Sequence, residues 1–312
     1  MDTTSFIMIG NKEAGKTTSM ISSYGTLSKN GVSGFKIKAV NESDKSELDA
    51  MFMNLKSGKY PLATAKRNTY TFHLLYKDSI IHRFEWKDFN GGIIDEKNSE
   101  STQTLKEDMQ GACGLMLFFD AEKLYRNSLD TKVRKILHIV SQNLVSIERQ
   151  FYMTIVITKY DLLSDFQKQD WDTLLMPLKP LLNNINNSEY VYYMLVPTSS
   201  TINGMVNVDI PLLHMLHGAM SSYCTEKSKE LDNEISTYKK YVDRSGFIDD
   251  VVSFFSNKPT YRELAKKKYE TVQPQVDFYN SVLEALKHLQ KYIEEVDLLK
   301  GFRKTNNIKY NF

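Results

Sequence analysis

Cysteine is almost missing from this chain: Cys113 and Cys224 are the two present in 312 residues. They lie far apart and lack metal-ligand spacing, which excludes a disulfide framework and a cysteine-based zinc site and fits a reducing compartment. Charge of one sign is lacking too. Forty Lys and Arg residues against 38 Asp and Glu leave a formal charge of +2, so no global field favours nucleic acid, a membrane surface or another polyanion as partner. Any anion must therefore be held by a local site. No run reaches the roughly 18 apolar residues of a membrane span. The opening Met-Asp-Thr-Thr-Ser has no basic leader region and no glycine for N-myristoylation, and we expect a cytoplasmic protein without a transmembrane segment. Internal repeats and low-complexity tracts are absent as well. What is present is apolar and aromatic residues, 41% and 12% of the chain, enough for one large core or one core plus a smaller attached domain.

Six short runs rich in β-branched and aromatic residues, at 5–9, 69–76, 80–86, 114–119, 152–158 and 190–196, read as strands. Helical periodicity occupies 15–28, 44–57, 102–111, 121–145 and 165–183. Such alternation predicts an α/β fold, a mostly parallel six-stranded sheet with helices on both faces. Only Lys77, Asp78 and Ser79 separate the second and third strands, too few for a crossover, so these two should form an antiparallel hairpin. After Ser200 the strand signal stops and a C-terminal α-helical extension is expected, starting with 210–242. Leu231, Ile235, Tyr238 and Val242 trace one apolar seam; Val276, Tyr279, Leu283, Leu286, Ile293 and Val296 trace a second. Two helices with such seams can pack as an antiparallel pair. Gly246, Asn257 and Pro259 punctuate their connection, with a short amphipathic segment at 247–255, and Pro274 should kink the last helix or set its start. The expected domains are 1–205 and a helical extension, 206–312, packing on the first or projecting from it.

Directly after the first strand stands Gly10-Asn11-Lys12-Glu13-Ala14-Gly15-Lys16-Thr17, which satisfies G-x-x-x-x-G-K-[ST] with a strand before and a helix after. Glycine at both ends lets the loop aim backbone N–H groups inward, and the next helix adds its unpaired N–H groups and positive dipole end. That cradle suits a triphosphate. Lys16 would reach the β- and γ-phosphates, the Thr17 hydroxyl would ligate Mg²⁺, and Thr18 completes this part of the site.

The third strand runs into Asp88-Phe89-Asn90-Gly91. A carboxylate at a strand's C-terminal end faces the ligand crevice of an α/β sheet, so Asp88 can hold a water of the Mg²⁺ shell while the Gly91 N–H approaches a γ-phosphate. The fifth strand ends in Thr158-Lys159-Tyr160-Asp161. Guanine presents N1–H and its N2 amine side by side, and one carboxylate can accept both; adenine offers one exocyclic donor beside an acceptor. Asp161 therefore selects guanine, and Lys159 would lay its stem along the base and tie back to the phosphate loop.

GNKEAGKT, DFNG and TKYD, in this order on successive strand ends, resemble the first, third and fourth signature motifs of the translation-factor-related and Ras-like class of P-loop GTPases. The likeness covers about residues 1–205. It implies GTP or GDP with Mg²⁺ as ligands and a fifth motif at Thr198-Ser199-Ser200, where a backbone N–H near Ser199 would contact the guanine O6. It also implies a threonine that closes over Mg²⁺ and the γ-phosphate, for which Thr64 is preferred and Thr69 is the other candidate. The combination of phosphate loop, Lys59-Tyr60-Pro61 in a mobile-loop insertion and a helical extension is further similar to predicted bacterial GTPases of inter-microbial conflict systems.

The chain departs from the class in two ways. The stretch between Lys16 and Asp88 is longer than small GTPases need, so an insertion lies there. Gly92 stands where many relatives place the glutamine that orients the attacking water, and neither Gln103 nor Gln110 is tied by sequence to a phosphate. Slow hydrolysis, or hydrolysis stimulated by a partner, is the expectation. Lys12 and Glu13 put long charged side chains into the phosphate loop, either to assist or to obstruct a finger from a partner. A non-hydrolysing scaffold that binds GTP or GDP is the alternative. An effector or activating protein is implied, and a nucleotide-dependent dimer is compatible with the pattern.

Overall fold

Apolar runs long enough to cross a small core, separated by capped helices, account for most of the architecture. The computed structural model describes residues 3–61, 68–88, 99–201, 204–244 and 259–299. Seven strands, β1 (Thr4–Gly10), β2 (Phe35–Ala39), β3 (Asn68–Tyr76), β4 (Ser79–Asp88), β5 (Gly114–Asp120), β6 (Phe151–Thr158) and β7 (Val191–Pro197), form one sheet in the order β2-β3-β4-β1-β5-β6-β7. From β4 to β7 the neighbours run parallel; β2, β3 and β4 are joined antiparallel. Every residue of β5 and β6 is buried, the signature of parallel strands covered on both faces. In β3, by contrast, burial alternates from Tyr70 to Tyr76, as expected of a strand with one face on the core.

The expected count of six strands is corrected to seven. The missed β2 reads Phe-Lys-Ile-Lys-Ala, with Phe35, Ile37 and Ala39 buried against intervening lysines. Its period of two was present, but it is short and half basic. The β3–β4 hairpin is tighter than its three intervening residues imply, because β4 already starts at Ser79. Lys77 and Asp78 both adopt positive φ, 48° and 64°, the backbone of a two-residue turn matched to strand twist. Strand structure also persists beyond Ser200, where β8 (Ser199–Thr201) and β9 (Gly204–Val206) form a separate antiparallel ribbon. Three-residue strands carry too little periodicity to be read.

The helices of this part are α1 (Lys16–Gly25), α2 (Glu42–Lys56), α3 (Ser99–Gly111), α4 (Ala121–Tyr125), α5 (Thr131–Val145), α6 (Trp171–Leu175) and α7 (Lys179–Asn186). The single helix expected over 121–145 is two. Asp120 caps α4 by accepting from the N–H groups of Glu122 and Lys123, and Asp130 caps α5 by accepting from Val133. Between them Asn127 has φ of 48°, which ends the first helix. The expected helix at 165–183 is likewise divided: Asp170 starts α6, and Pro180 sits in the first turn of α7. One face of the sheet packs Ile7, Leu115 and Ile155 with Leu105, Ile136, Val140 and Ile185 of the helices. At the other face the Thr154 hydroxyl lies 2.8 Å from Nδ1 of His214, in the first turns of α8 (Ile210–Arg244).

The chain divides into two compact units, Met1–Ala219 with Lys291–Phe312, and Met220–Gln290. The second contains the remainder of α8 and most of α9 (Tyr261–Glu295). Its ring pairs Tyr223–Phe278, Tyr238–Tyr269 and Tyr241–Tyr261 progress in opposite directions along the two helices, so they pack antiparallel. Pro274 lies inside α9 and does not set its start. The buried seam there is Val282, Ala285 and Leu289, with Leu283 and Leu286 half-buried, and Val242 of the first expected seam is exposed. Residues 245–258 lie outside the described residues, and with them Gly246, Asn257 and the segment at 247–255. Among the described residues no helix is long and apolar enough to cross a membrane.

Two buried histidines make the fold sensitive to acid. Burial lowers His82, on β4, to about 4, and His214, fully enclosed, to about 3, from an ordinary 6.5. Both are neutral when folded and take up a proton near pH 6.5 only when unfolded. Their stabilising effect is thus complete above pH 6.5 and is lost as pH falls toward the folded values, by about 1.4 kcal/mol per pH unit per histidine. Urea titrations at pH 7.5 and 5.5 should show this loss, and His214→Asn should flatten the slope.

Candidate functional site

The C-terminal ends of β1, β4, β5 and β6 converge, and each carries one part of the site. Gly10 closes β1 against β5: a Cβ there would stand 2.8 Å from the Phe118 carbonyl oxygen, so only glycine permits this approach. Gly15, at φ 79°, is the left-handed residue from which α1 starts. Within the loop the Ala14 N–H donates to the Asn11 carbonyl at 3.2 Å. The Asn11 side chain accepts from the Lys12 N–H at 2.8 Å and donates to the Asp130 carboxylate, tying the loop to the cap of α5. Lys12 and Glu13 are exposed, and Glu13 takes a positive φ of 66°.

Lys16 folds back so that its Nζ donates to the carbonyls of Gly10 at 2.8 Å and Asn11 at 3.0 Å. Desolvation lowers its pKa from the ordinary lysine value, and the nearby Asp88 carboxylate opposes that shift. Asp88, the last residue of β4, is buried, and its Oδ2 accepts from the Thr17 hydroxyl at 3.3 Å. The hydroxyl and carboxylate oxygens required for a hard divalent cation therefore stand together next to the phosphate loop, and this donor set fits Mg²⁺.

The other end of the site is built by β6. The Thr158 hydroxyl lies 2.9 Å from the Ala14 carbonyl oxygen and 3.1 Å from that of Phe119, so it fastens β6 to the phosphate loop and to β5 together. Lys159, at φ 55°, instead pairs its Nζ with Asp120 Oδ2 at 2.7 Å. The expected tie from Lys159 to the phosphate loop is therefore corrected: Thr158 makes it, and Lys159 is drawn by the stronger pull of a carboxylate. Asp161 Oδ1 is buried and has no hydrogen-bond partner among the described residues. A buried carboxylate oxygen in that state fits a ligand that brings its own donors.

A cavity of about 380 Å³ lies between the start of α1 and the end of β6, and Lys16, Thr17 and Asp88 are not in its lining. Gly15 and Thr18 line it from α1, Thr158, Lys159 and Asp161 from the end of β6, and Ser200 from β8. Ser199 is buried beside it and is not part of the lining. Thr198 of the expected fifth motif lines it too, and Ser19, Tyr60, Leu162 and Thr201 complete the lining although none was assigned to the site, because such isolated residues carry no pattern. Thr69 lies in β3 paired with Lys87, its side chain exposed. Thr64, Phe89, Asn90, Gly91 and Gly92 lie outside the described residues. Gln103 donates to Glu107 on its own helix, and Gln110 is near the far end of α3, where Arg149 Nη2 donates to its carbonyl at 2.9 Å.

No family model matches the chain, and no curated protein matches it in sequence. Solved structures to which it is similar include the bacterial selenocysteine-specific elongation factor EF-Sec, at 15% identity and TM-score 0.38, covering 71% of this chain and 29% of that one. The S. cerevisiae Ski7 GTPase-like domain, bound to GDP and inorganic phosphate, matches at 16% identity and TM-score 0.42, over 69% of this chain and 49% of that one. An ADP ribosylation factor-like GTP-binding protein, the small COPII coat GTPase SAR1 of Encephalitozoon cuniculi in complex with GDP, matches at 14% and 0.36, over 72% and 83%. The chain thus spans less than half of the first two. At these scores the likenesses carry no weight for individual residues, and the sheet order and side-chain geometry stand on their own.

The hydroxyl of Thr158 gives a direct check. Thr158→Val removes the donor and should destabilise the protein by about 1 kcal/mol, whereas Thr158→Ser should stay near wild type, both measured by urea denaturation.

Proposed function

We propose that this chain binds GTP and GDP with Mg²⁺ and hydrolyses GTP slowly or with the help of a partner protein. The observation that carries it is Asp161, whose buried Oδ1 has no partner among the described residues, in the lining of the same cavity as Gly15 and Thr18. A group with adjacent donors at one end and polyanionic charge at the other satisfies both ends of that cavity. In this reading the N–H groups around Gly15 and the start of α1 receive the phosphates, and Lys16 moves from its two carbonyl partners to a phosphate oxygen. Thr17 and Asp88 would hold Mg²⁺, which when bound neutralises charge on the phosphate oxygens. Asp161 accepts from the guanine edge, with Lys159, Thr198 and Ser200 around the base. Thr64 and Gly91 are assigned to the γ-phosphate by the motif alone. The nucleotide domain, expected as 1–205, then takes in 206–219 and 291–312 as well, and the extension that reports its state to an effector is Met220–Gln290. Membership of the conflict-system GTPases rests on the phosphate loop, Lys59-Tyr60-Pro61 with Thr64 in the insertion, and the helical extension, as a sequence resemblance alone.

Gly92 in place of a water-orienting glutamine favours a second reading, a scaffold that binds guanine nucleotide without turnover. Single-turnover assays with and without candidate partners separate the two, since a scaffold releases no γ-phosphate under any condition. Calorimetry should give heat with GTP and GDP and none with ATP. Asp161→Asn exchanges an acceptor for a donor and should move the preference to xanthine nucleotide, with guanine affinity falling at least tenfold. Equal competition by ATP in wild type would sink the base assignment.

A further inference from the structure

Outside the motifs, residues 207–209 hold together three parts of the first unit. Asn207 follows β9 in a left-handed conformation, φ 55°, and its side-chain nitrogen donates to two carbonyls, that of Pro197 at 2.9 Å and that of Leu298 at 2.6 Å. The Val208 carbonyl accepts from the Ser23 hydroxyl of α1. Asp209, buried, accepts from the Tyr292 hydroxyl at 3.0 Å. Pro197 ends β7, and the residues just after it, Thr198, Ser200 and Thr201, line the cavity. The Thr198 N–H donates to Ile157 at 2.8 Å, and its carbonyl accepts from Tyr160 at 3.2 Å. One side of this loop is thereby fixed to β6 and the base-reading motif; Asn207 fixes the other. Leu298 belongs to the returning end of the chain after α9, where it is buried with Met194, Val196 and Ile210.

We infer that Asn207 is a positioning residue for the guanine-facing loop, and that the returning segment bonded to it sets how fast the nucleotide leaves. Both hydrogens of one amide are used, one on the loop and one on the segment that closes the excursion through residues 220–290. Loss of the segment's carbonyl frees the amide to rotate, and the loop then loses its second anchor. Regulation is thus directed at the base end of the ligand and leaves Lys16, Thr17 and Asp88, the phosphate end, untouched. This rests on the guanine-nucleotide reading above.

Asn207→Gly is the test, because glycine keeps the positive φ and deletes only the amide. A fluorescent GDP analogue should dissociate about five- to tenfold faster from it than from wild type, with the single-turnover hydrolysis rate of bound GTP unchanged. Tyr292→Phe should shift dissociation the same way by a smaller factor. Wild-type dissociation from either variant overturns the inference, including when thermal stability has fallen. Amide exchange in the nucleotide-free protein separates this from the functional reading: Asn207→Gly should speed exchange at Thr198, Ser200 and Thr201. If wild type binds no guanine nucleotide, the functional reading fails first and the inference about release fails with it, while faster exchange would still show Asn207 anchoring the loop.

Discussion

The hydroxyl of Thr158 is the contact on which the geometry of the site depends. Four parallel strands, of which β5 and β6 are buried on both faces, bring their C-terminal ends to one edge, but burial alone does not fix the distance between the loops that leave them. Thr158 does, because its oxygen stands within hydrogen-bond reach of Ala14 in the phosphate loop and Phe119 in β5 at once. The close seat of Gly10 on Phe118 then fixes the other side of the loop. Two ends of one ligand can be recognised together only when the loops that read them are held at a constant separation.

Lys16 shows how the loop carries charge before a ligand arrives. Its ammonium is partly desolvated, and two backbone carbonyls and the field of Asp88 hold it. Carbonyl dipoles are weaker partners than phosphate oxygens, so a polyanion can displace them without moving the backbone that carries them. The low dielectric that disfavours the isolated cation also strengthens its attraction for an anion.

Legibility in the sequence followed periodicity and capping chemistry. The parallel strands and the phosphate loop were readable because apolar runs, glycine spacing and the following helix coincide over 5–28. The motif carboxylates Asp88 and Asp161 were readable because the first ends β4 and the second stands in the turn just after β6. Strand β2 was not, since Phe-Lys-Ile-Lys-Ala resembles a solvated loop until its partner β3 is known. Asp130 was read as part of one long amphipathic helix over 121–145 and Asp120 was assigned to no element, although each is a cap, because caps of short helices look like interior polar positions. Asn207 gave no signal at all, and Tyr60 none for the cavity it lines: these placements come from tertiary approach, which no local pattern encodes. The partner of Lys159 was misread for the same reason, as Asp120 is distant in sequence and near only in the folded sheet.

Asp120 and Asp161 differ in a way that matters for genetics. Asp120 both begins α4 and pairs with Lys159, so an allele altering it perturbs the helix start and the cavity lining together, and its phenotype is pleiotropic. Asp161 Oδ1 has no such intramolecular duty. An allele at that position changes the cavity without removing a hydrogen bond of Oδ1 among the described residues, which makes it the natural choice for work in cells on the proposed function.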